Sequence, residues 1–234
     1  MQQTVPISKP EARIQVNAFI RSVYNWMAIG LALTGFIAYY VAHNEGMQRL
    51  IFGNPMVFYG LIIAELAMVF YLSARVQKMQ ASTATALFVL YAGLNGATLS
   101  FIFLVYTKSS IASTFFVCAG TFVACSIYGM VTKRDLTSIG GFLTMGLFGI
   151  IIASVVNMFL RSAGMSMIIS YIGVLVFVGL TAYDTQKLKT MAMTQPAGLE
   201  AGVVRKGAII GALSLYLDFI NLFLMLLRIL GNRE

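Results

Sequence analysis

The stretch GALSLYLDFINLFLMLLRIL, residues 211–230, decides the fold. It is apolar along nearly its whole length, yet the carboxylate Asp218 stands at its middle. About 20 apolar residues cross the hydrocarbon core of a bilayer as one helix. An aspartate near the centre of such a helix costs about 2.5–3.5 kcal/mol on insertion scales, so the position calls for a partner or a task. Gly207, Gly211, Ser214, Asp218, Asn221, Met225 and Arg228 recur four and three residues apart, which puts them on one helical face. Lipid tails are as apolar as leucine, so membrane helices associate through small and polar side chains. That face therefore points into the protein and carries Asp218 with it, while Ile209, Leu215, Tyr216, Phe219 and Phe223 occupy the other faces.

The rest of the chain agrees with a membrane setting. Of 234 residues 59% are hydrophobic and 10% charged, and the mean hydropathy of +0.85 lies far above that of water-soluble domains. Seven apolar runs, near residues 23–42, 56–74, 84–106, 111–131, 139–160, 165–183 and 208–230, are each long enough to span a bilayer. None alternates as barrel strands do, which predicts an all-α protein of seven transmembrane helices. A polar tail over residues 1–22 would precede a transmembrane domain over 23–231. The first run is too long for a signal-peptide core and is read as a retained helix. Lys9, Arg13, Arg21, Arg75, Lys78, Lys133, Arg134, Lys187, Lys189, Arg205 and Lys206 fall on one side of the membrane, eleven of the sixteen Lys and Arg. Arg49, Lys108, Arg161, Arg228 and Arg233 fall on the other. This bias predicts a cytoplasmic N-terminus and an outside C-terminus. The net charge of +8 then reflects orientation and anionic lipid, and no soluble basic domain suited to nucleic acid is present.

Three acids lie in or beside the apolar runs. Counting residues places Glu65 and Asp218 near mid-membrane, and places Asp184 at the end of the sixth run, beside Lys187 and Lys189, near the cytoplasmic surface. For Glu65 and Asp218 two readings stand. One is a neutral acid hydrogen-bonded to a neighbour such as Asn95 or Ser214; the other is an ion or proton path, the usual role of an intramembrane acid. Thr114, Cys118, Thr121, Cys125 and Tyr128 form a comparable stripe on the fourth helix, and Tyr91, Asn95 and Thr98 on the third, both read as packing faces. Cys118 and Cys125 lie seven residues apart on one helix, about 10.5 Å along its axis, and cannot bridge within it. With no histidine or carboxylate close in sequence, they make a poor metal site. Tyr24, Trp26, Tyr39 and Tyr40 bracket the first helix at the headgroup levels. Pro196, Gly198 and Gly202 break the longest loop.

Four strings carry a family resemblance: LYAGLNGATLS (residues 90–100), TKRDLTSIGGFL (132–143), GLTAYDTQKLK (179–189) and LSLYLDFINLFLMLLRILG (213–231). They resemble the bacterial branch of the Bax inhibitor-1 family, and the similarity runs from about Tyr24 to Gly231. The resemblance implies two layers of three helices around a central C-terminal helix. It also implies a pH-sensitive calcium leak gated by a hydrogen-bonded aspartate pair, whose matching positions are Asp184 and Asp218. Residue counting alone does not bring those two together. The resemblance further suggests Arg75 as a latch for Asp184 and Glu65 as another oxygen along a cation path. Two carboxyls in contact resist double ionisation and share one proton, which makes the pair a usable gate. Asp184, Asp218 and Glu65, with Asn95, Ser214, Asn221 and backbone carbonyls, would offer calcium weak and transient sites. Weak sites are what permeation requires. No resident cofactor is expected; calcium would be the permeant ion.

Other classes fare less well. Tyr183 and Asp184 on a sixth helix, with Asp218 on a seventh, match the layout of intramembrane aspartyl proteases. Those carry G-x-G-D and P-A-L motifs, and this chain has LYLD and no P-A-L. The single histidine, His43, sits at a membrane edge and suits no serine-based site. No enzyme is expected. The alternative is a regulator that transports nothing and binds a membrane-anchored protease or another membrane protein, for which the 14 methionines and small-residue faces are equally suited.

Overall fold

The computed structural model describes residues 9–194 and 199–233, with the side chains of residues 9–15 outside that description. In chain order the elements are α1 (Lys9–Ala42), α2 (Glu45–Phe52), α3 (Pro55–Arg75), a 3-10 turn (Val76–Lys78), α4 (Ala81–Leu99), α5 (Ile102–Val105), α6 (Lys108–Val131), α7 (Thr137–Leu160), α8 (Ala163–Thr194) and α9 (Ala201–Leu230). Seven of them, α1, α3, α4, α6, α7, α8 and α9, are long and apolar enough to cross a membrane, as the sequence predicted. Among the described residues no β-strand forms. Lys9 and Arg13, whose side chains carry part of the charge bias, and Pro196 and Gly198, expected as loop breakers, lie outside the described positions or side chains.

Short polar residues set the helix starts. Asn44 Oδ1 accepts from the backbone N of Met47 at 3.0 Å, Asn54 Oδ1 from Met56 N at 2.9 Å, and Thr107 Oγ1 from Ser110 N at 3.2 Å. Each satisfies one of the amides that a first helical turn leaves unpaired. Pro55 adds a preset φ at the start of α3.

α4 packs between α1 and α3 to make one layer, and α8 packs between α6 and α7 to make the other. α9 lies between the layers and touches α1, α4, α6 and α8. The two-layer arrangement around the last helix is thus present. The centre is tighter than a one-faced stripe would give. Ile209 and Tyr216, on the faces away from Asp218, are buried as fully as Ala212. A helix enclosed on all sides has no lipid-facing side left to pattern. α3 and α7 stand outermost and present Phe70, Tyr71, Phe142, Phe148 and Phe159 to lipid.

Two glycines allow the closest helix approaches. A Cβ on Gly96 would lie 2.6 Å from the carbonyl oxygen of Thr34, joining α4 to α1, and a Cβ on Gly129 would strike the carbonyl oxygen of Ala182, joining α6 to α8.

Two expectations need correction. Asp184 does not close its helix: α8 continues to Thr194, ten residues further, because the intervening TQKLKTMAMT holds no glycine or proline. α1 is helical from Lys9, and Phe19 is buried at 4% exposure. Tyr24 and Trp26 turn to protein rather than to headgroups. The Tyr24 hydroxyl is 3.4 Å from Thr185 Oγ1, and Trp26 stacks under the Arg205 guanidinium, 5.4 Å from its ring centre.

Candidate functional site

Asp218 is enclosed by the bundle, with 5% of its surface exposed. Its Oδ2 is buried without a hydrogen-bond partner. Asp184 lies half-buried on α8, with Lys187 one turn further along the same helix. α8 packs antiparallel on α9. A Cβ on Gly211 would touch Leu188, and one on Gly173 would touch Met225, so the stretch between those contacts faces the stretch that holds Asp218. Asp184 and Asp218 thus lie on facing stretches of α8 and α9, and no hydrogen bond joins them in this conformation. A proton shared between them would satisfy the orphaned Oδ2, which as a bare carboxylate oxygen in this interior has nothing to accept from.

Two buried hydroxyls also lack partners, Thr114 Oγ1 and Ser126 Oγ, both on the face of α6 that carries Cys118. The Cys118 thiol donates to the Phe219 carbonyl at 3.7 Å, which fixes that face against α9. Both cysteines are free thiols. Asn221 Nδ2 donates back to the Leu217 carbonyl at 2.8 Å, and Ser214, half-buried, lies one turn from Asp218 on the same side of α9.

Glu65 belongs to a different cluster. Thr98 Oγ1 donates to its Oε1 at 2.8 Å, binding α3 to α4. Asn95 Nδ2 donates to the Tyr91 hydroxyl at 3.2 Å, and the Tyr91 and Tyr216 rings meet edge to face with centres 5.7 Å apart. The Tyr216 hydroxyl is 2.7 Å from Thr34 Oγ1. Because Thr34 spends its own proton on the Ala92 carbonyl at 2.8 Å, Tyr216 is the donor in that bond. This network fills the contact of α9 with α1 and α4.

Two sequence expectations change accordingly. Among the described residues no group of three His, Cys, Asp or Glu could hold a metal ion, so Asp184, Asp218 and Glu65 do not form one calcium site. The reason is rotational: Asp218 faces α8, whereas Glu65 and Asn95 sit with the tyrosines on the far side of α9. Arg75 is exposed at the end of α3, and among the described residues the only ion pair joins Arg49 to Glu45, so Arg75 does not hold Asp184 in this conformation. Tyr216 and Thr34 were missed as polar partners. A tyrosine in mid-membrane must place its hydroxyl somewhere, and that was the available signal.

Fold and site together define a polytopic α-helical membrane protein with a buried carboxyl on its central helix. The model of the family described as "Inhibitor of apoptosis-promoting Bax1" matches residues 16–234. The chain belongs to the Bax inhibitor-1 family. It is 54% identical over 228 residues to the inner membrane protein YbhL of Escherichia coli K12, covering 97% of this chain and 96% of that one. It is also 46% identical over 218 residues to a protein of Borreliella burgdorferi, covering 93% of each chain, and 42% identical over 232 residues to one of Deinococcus radiodurans, covering 99% of this chain and 98% of that one.

Proposed function

We propose that this protein is a cation leak of the bacterial inner membrane, permeable to calcium and gated by a proton that Asp184 and Asp218 share. The observation that carries the reading is the buried, unpartnered Oδ2 of Asp218 on the face of α9 that packs on α8. With one proton between them, the carboxyls hold α8 to α9. When that proton leaves, two like charges face each other across a low-dielectric contact, where repulsion is far stronger than in water.

Cation passage would use the oxygens on this side of α9. Asp218, Ser214 and Asn221 supply some, and the unpartnered hydroxyls of Thr114 and Ser126 supply others. Calcium takes six to eight oxygen ligands, and sites this sparse bind it weakly enough for release. Glu65 acts elsewhere, as the acceptor that ties α3 to α4. Arg75, unpaired here, serves as a latch only in a conformation that carries the end of α3 toward Asp184. The inner-membrane location follows the E. coli relative, and the charge bias orients the N-terminus to the cytoplasm and the C-terminus outside.

Purified protein in liposomes loaded with a calcium dye tests the reading, since a leak needs only this chain and lipid. Flux above that of empty liposomes supports it. Absence of flux at every pH from about 6 to 8, a range that brackets neutral conditions, would remove it and favour a regulator that acts only through a partner such as a membrane protease.

A further inference from the structure

The end of the bundle that is poor in basic residues holds five Lys and Arg: Arg49, Lys108, Arg161, Arg228 and Arg233. Arg49 pairs with Glu45 at 3.3 Å. Arg161, Arg228 and Arg233 instead line one cavity of about 720 Å³ among the end of α7, the start of α8 and the end of α9, and no acidic residue is among its lining residues. Random placement of so few charges would scatter them. Three exposed arginines thus place positive charge around one concavity with no carboxylate among its lining residues.

The cavity is also built. Asn157, buried on its floor, accepts from the Ser162 backbone N at 3.1 Å through Oδ1 and donates to Ser166 Oγ at 2.7 Å through Nδ2. The Arg161 backbone N donates to the Asn157 carbonyl at 2.8 Å, and Arg161 takes a left-handed conformation, φ 51°, that residues other than glycine rarely adopt. Arg233 is held separately. Its guanidinium lies 5.8 Å from the centre of the Tyr106 ring, and its neighbour Asn232 donates from N to Ser110 Oγ at 3.0 Å and accepts from Thr107 N at 3.1 Å. Two of the three arginines thus project from backbone fixed by unrelated contacts, which lowers the ordering cost of binding.

We propose that Arg161, Arg228 and Arg233 form a phosphate-binding site at this end of the bundle. Planar guanidinium groups present paired N–H donors that match phosphate oxygens two at a time. Met158 and Ile169 give the cavity an apolar wall beside its polar floor, so a phospholipid headgroup with the first methylenes of its chains fits, and a free phosphate meets the same donors.

The test uses the full-length chain in neutral detergent, with short-chain phosphatidylglycerol and inorganic phosphate as separate probes. Binding is read by native mass spectrometry and by thermal stabilisation. The variants are R161Q/R228Q/R233Q together, R228Q alone in case the triple variant folds poorly, R49Q as a control, and Glu234→Gln, because Glu234 follows Arg233 and lies outside the described residues. The triple variant should bind the lipid about tenfold more weakly than wild type, R228Q should fall between them, and R49Q should match wild type. Lipid binding that inorganic phosphate cannot displace assigns the site to a headgroup; displacement at comparable concentration assigns it to free phosphate. Equal binding by wild type and the arginine variants, or binding that emerges only in Glu234→Gln, overturns the proposal.

Discussion

Tyr216 and Asp218 stand two residues apart on α9 and serve opposite layers. At about 100° per residue they point roughly 200° apart. The tyrosine meets Phe88, Tyr91 and Thr34 of α4 and α1, while the aspartate lies on the face of α9 that packs on α8. The central helix thus separates a neutral, hydrogen-bonded contact from an acidic one. Replacement of Tyr216 by Phe should remove one buried hydrogen bond, lower stability by about 0.5–1.5 kcal/mol and leave any pH response of cation flux unchanged. Thermal unfolding in detergent measures the first effect and liposome flux the second.

The same separation governs Glu65. Because Thr98 holds it on the α3–α4 contact, Glu65→Gln should alter stability without moving the pH midpoint of flux. Combined with Asp218→Asn, its stability effect should add within about 0.5 kcal/mol, as for sites that share no partner. A shifted midpoint, or strong coupling in that double-mutant cycle, would place Glu65 in the gate.

Gly129 lets α6 lie on the backbone of α8 at Ala182, close to Asp184. A valine there has backbone, not a flexible side chain, to push against. Gly129→Val should cost about 1–3 kcal/mol, the usual range for overpacking, with wild-type stability overturning the proposed contact.

Outside the spans, Asp135 accepts from the backbone N of Thr137 at 2.9 Å and from its hydroxyl at 2.6 Å, and these bonds hold its carboxyl below the usual 3.8. Because the folded value is the lower one, the contribution of these bonds is complete above pH 3.8 and is lost as pH falls through the folded value. Protection of the Thr137 amide, after correction for the intrinsic pH dependence of exchange, should therefore fall in acid. Asp135→Asn keeps an acceptor and should remove the pH dependence of that protection, whereas Asp135→Ala should leave the amide weakly protected at every pH.

Much of the fold was legible in the sequence because membrane spans announce themselves by length and hydropathy, and the small residues of α9 marked it as an inner helix. The site was legible only in parts. Burial of Asp218 followed from its own helix, but which residues of α8 it faces depends on how α8 and α9 slide past each other, which no residue count supplies. The pairing with Asp184 was an expectation of the family resemblance alone. The reach of α8 beyond Asp184 was missed because Lys187 and Lys189 look like a membrane edge, although lysine is a good helix former and the helix runs on through it. Grouping Glu65 with the aspartates failed for want of rotation: depth along a helix says nothing about which neighbour a side chain faces.

The central claim is that Asp184 and Asp218 form one titrating gate. Calcium flux into dye-loaded liposomes, recorded for the wild type, Asp184→Asn and Asp218→Asn from about pH 6 to 8, tests it most directly. The account predicts a wild-type flux that varies with pH and a flux that no longer follows pH in either variant. A pH response that survives unchanged in both variants, or no flux in any sample, would contradict it.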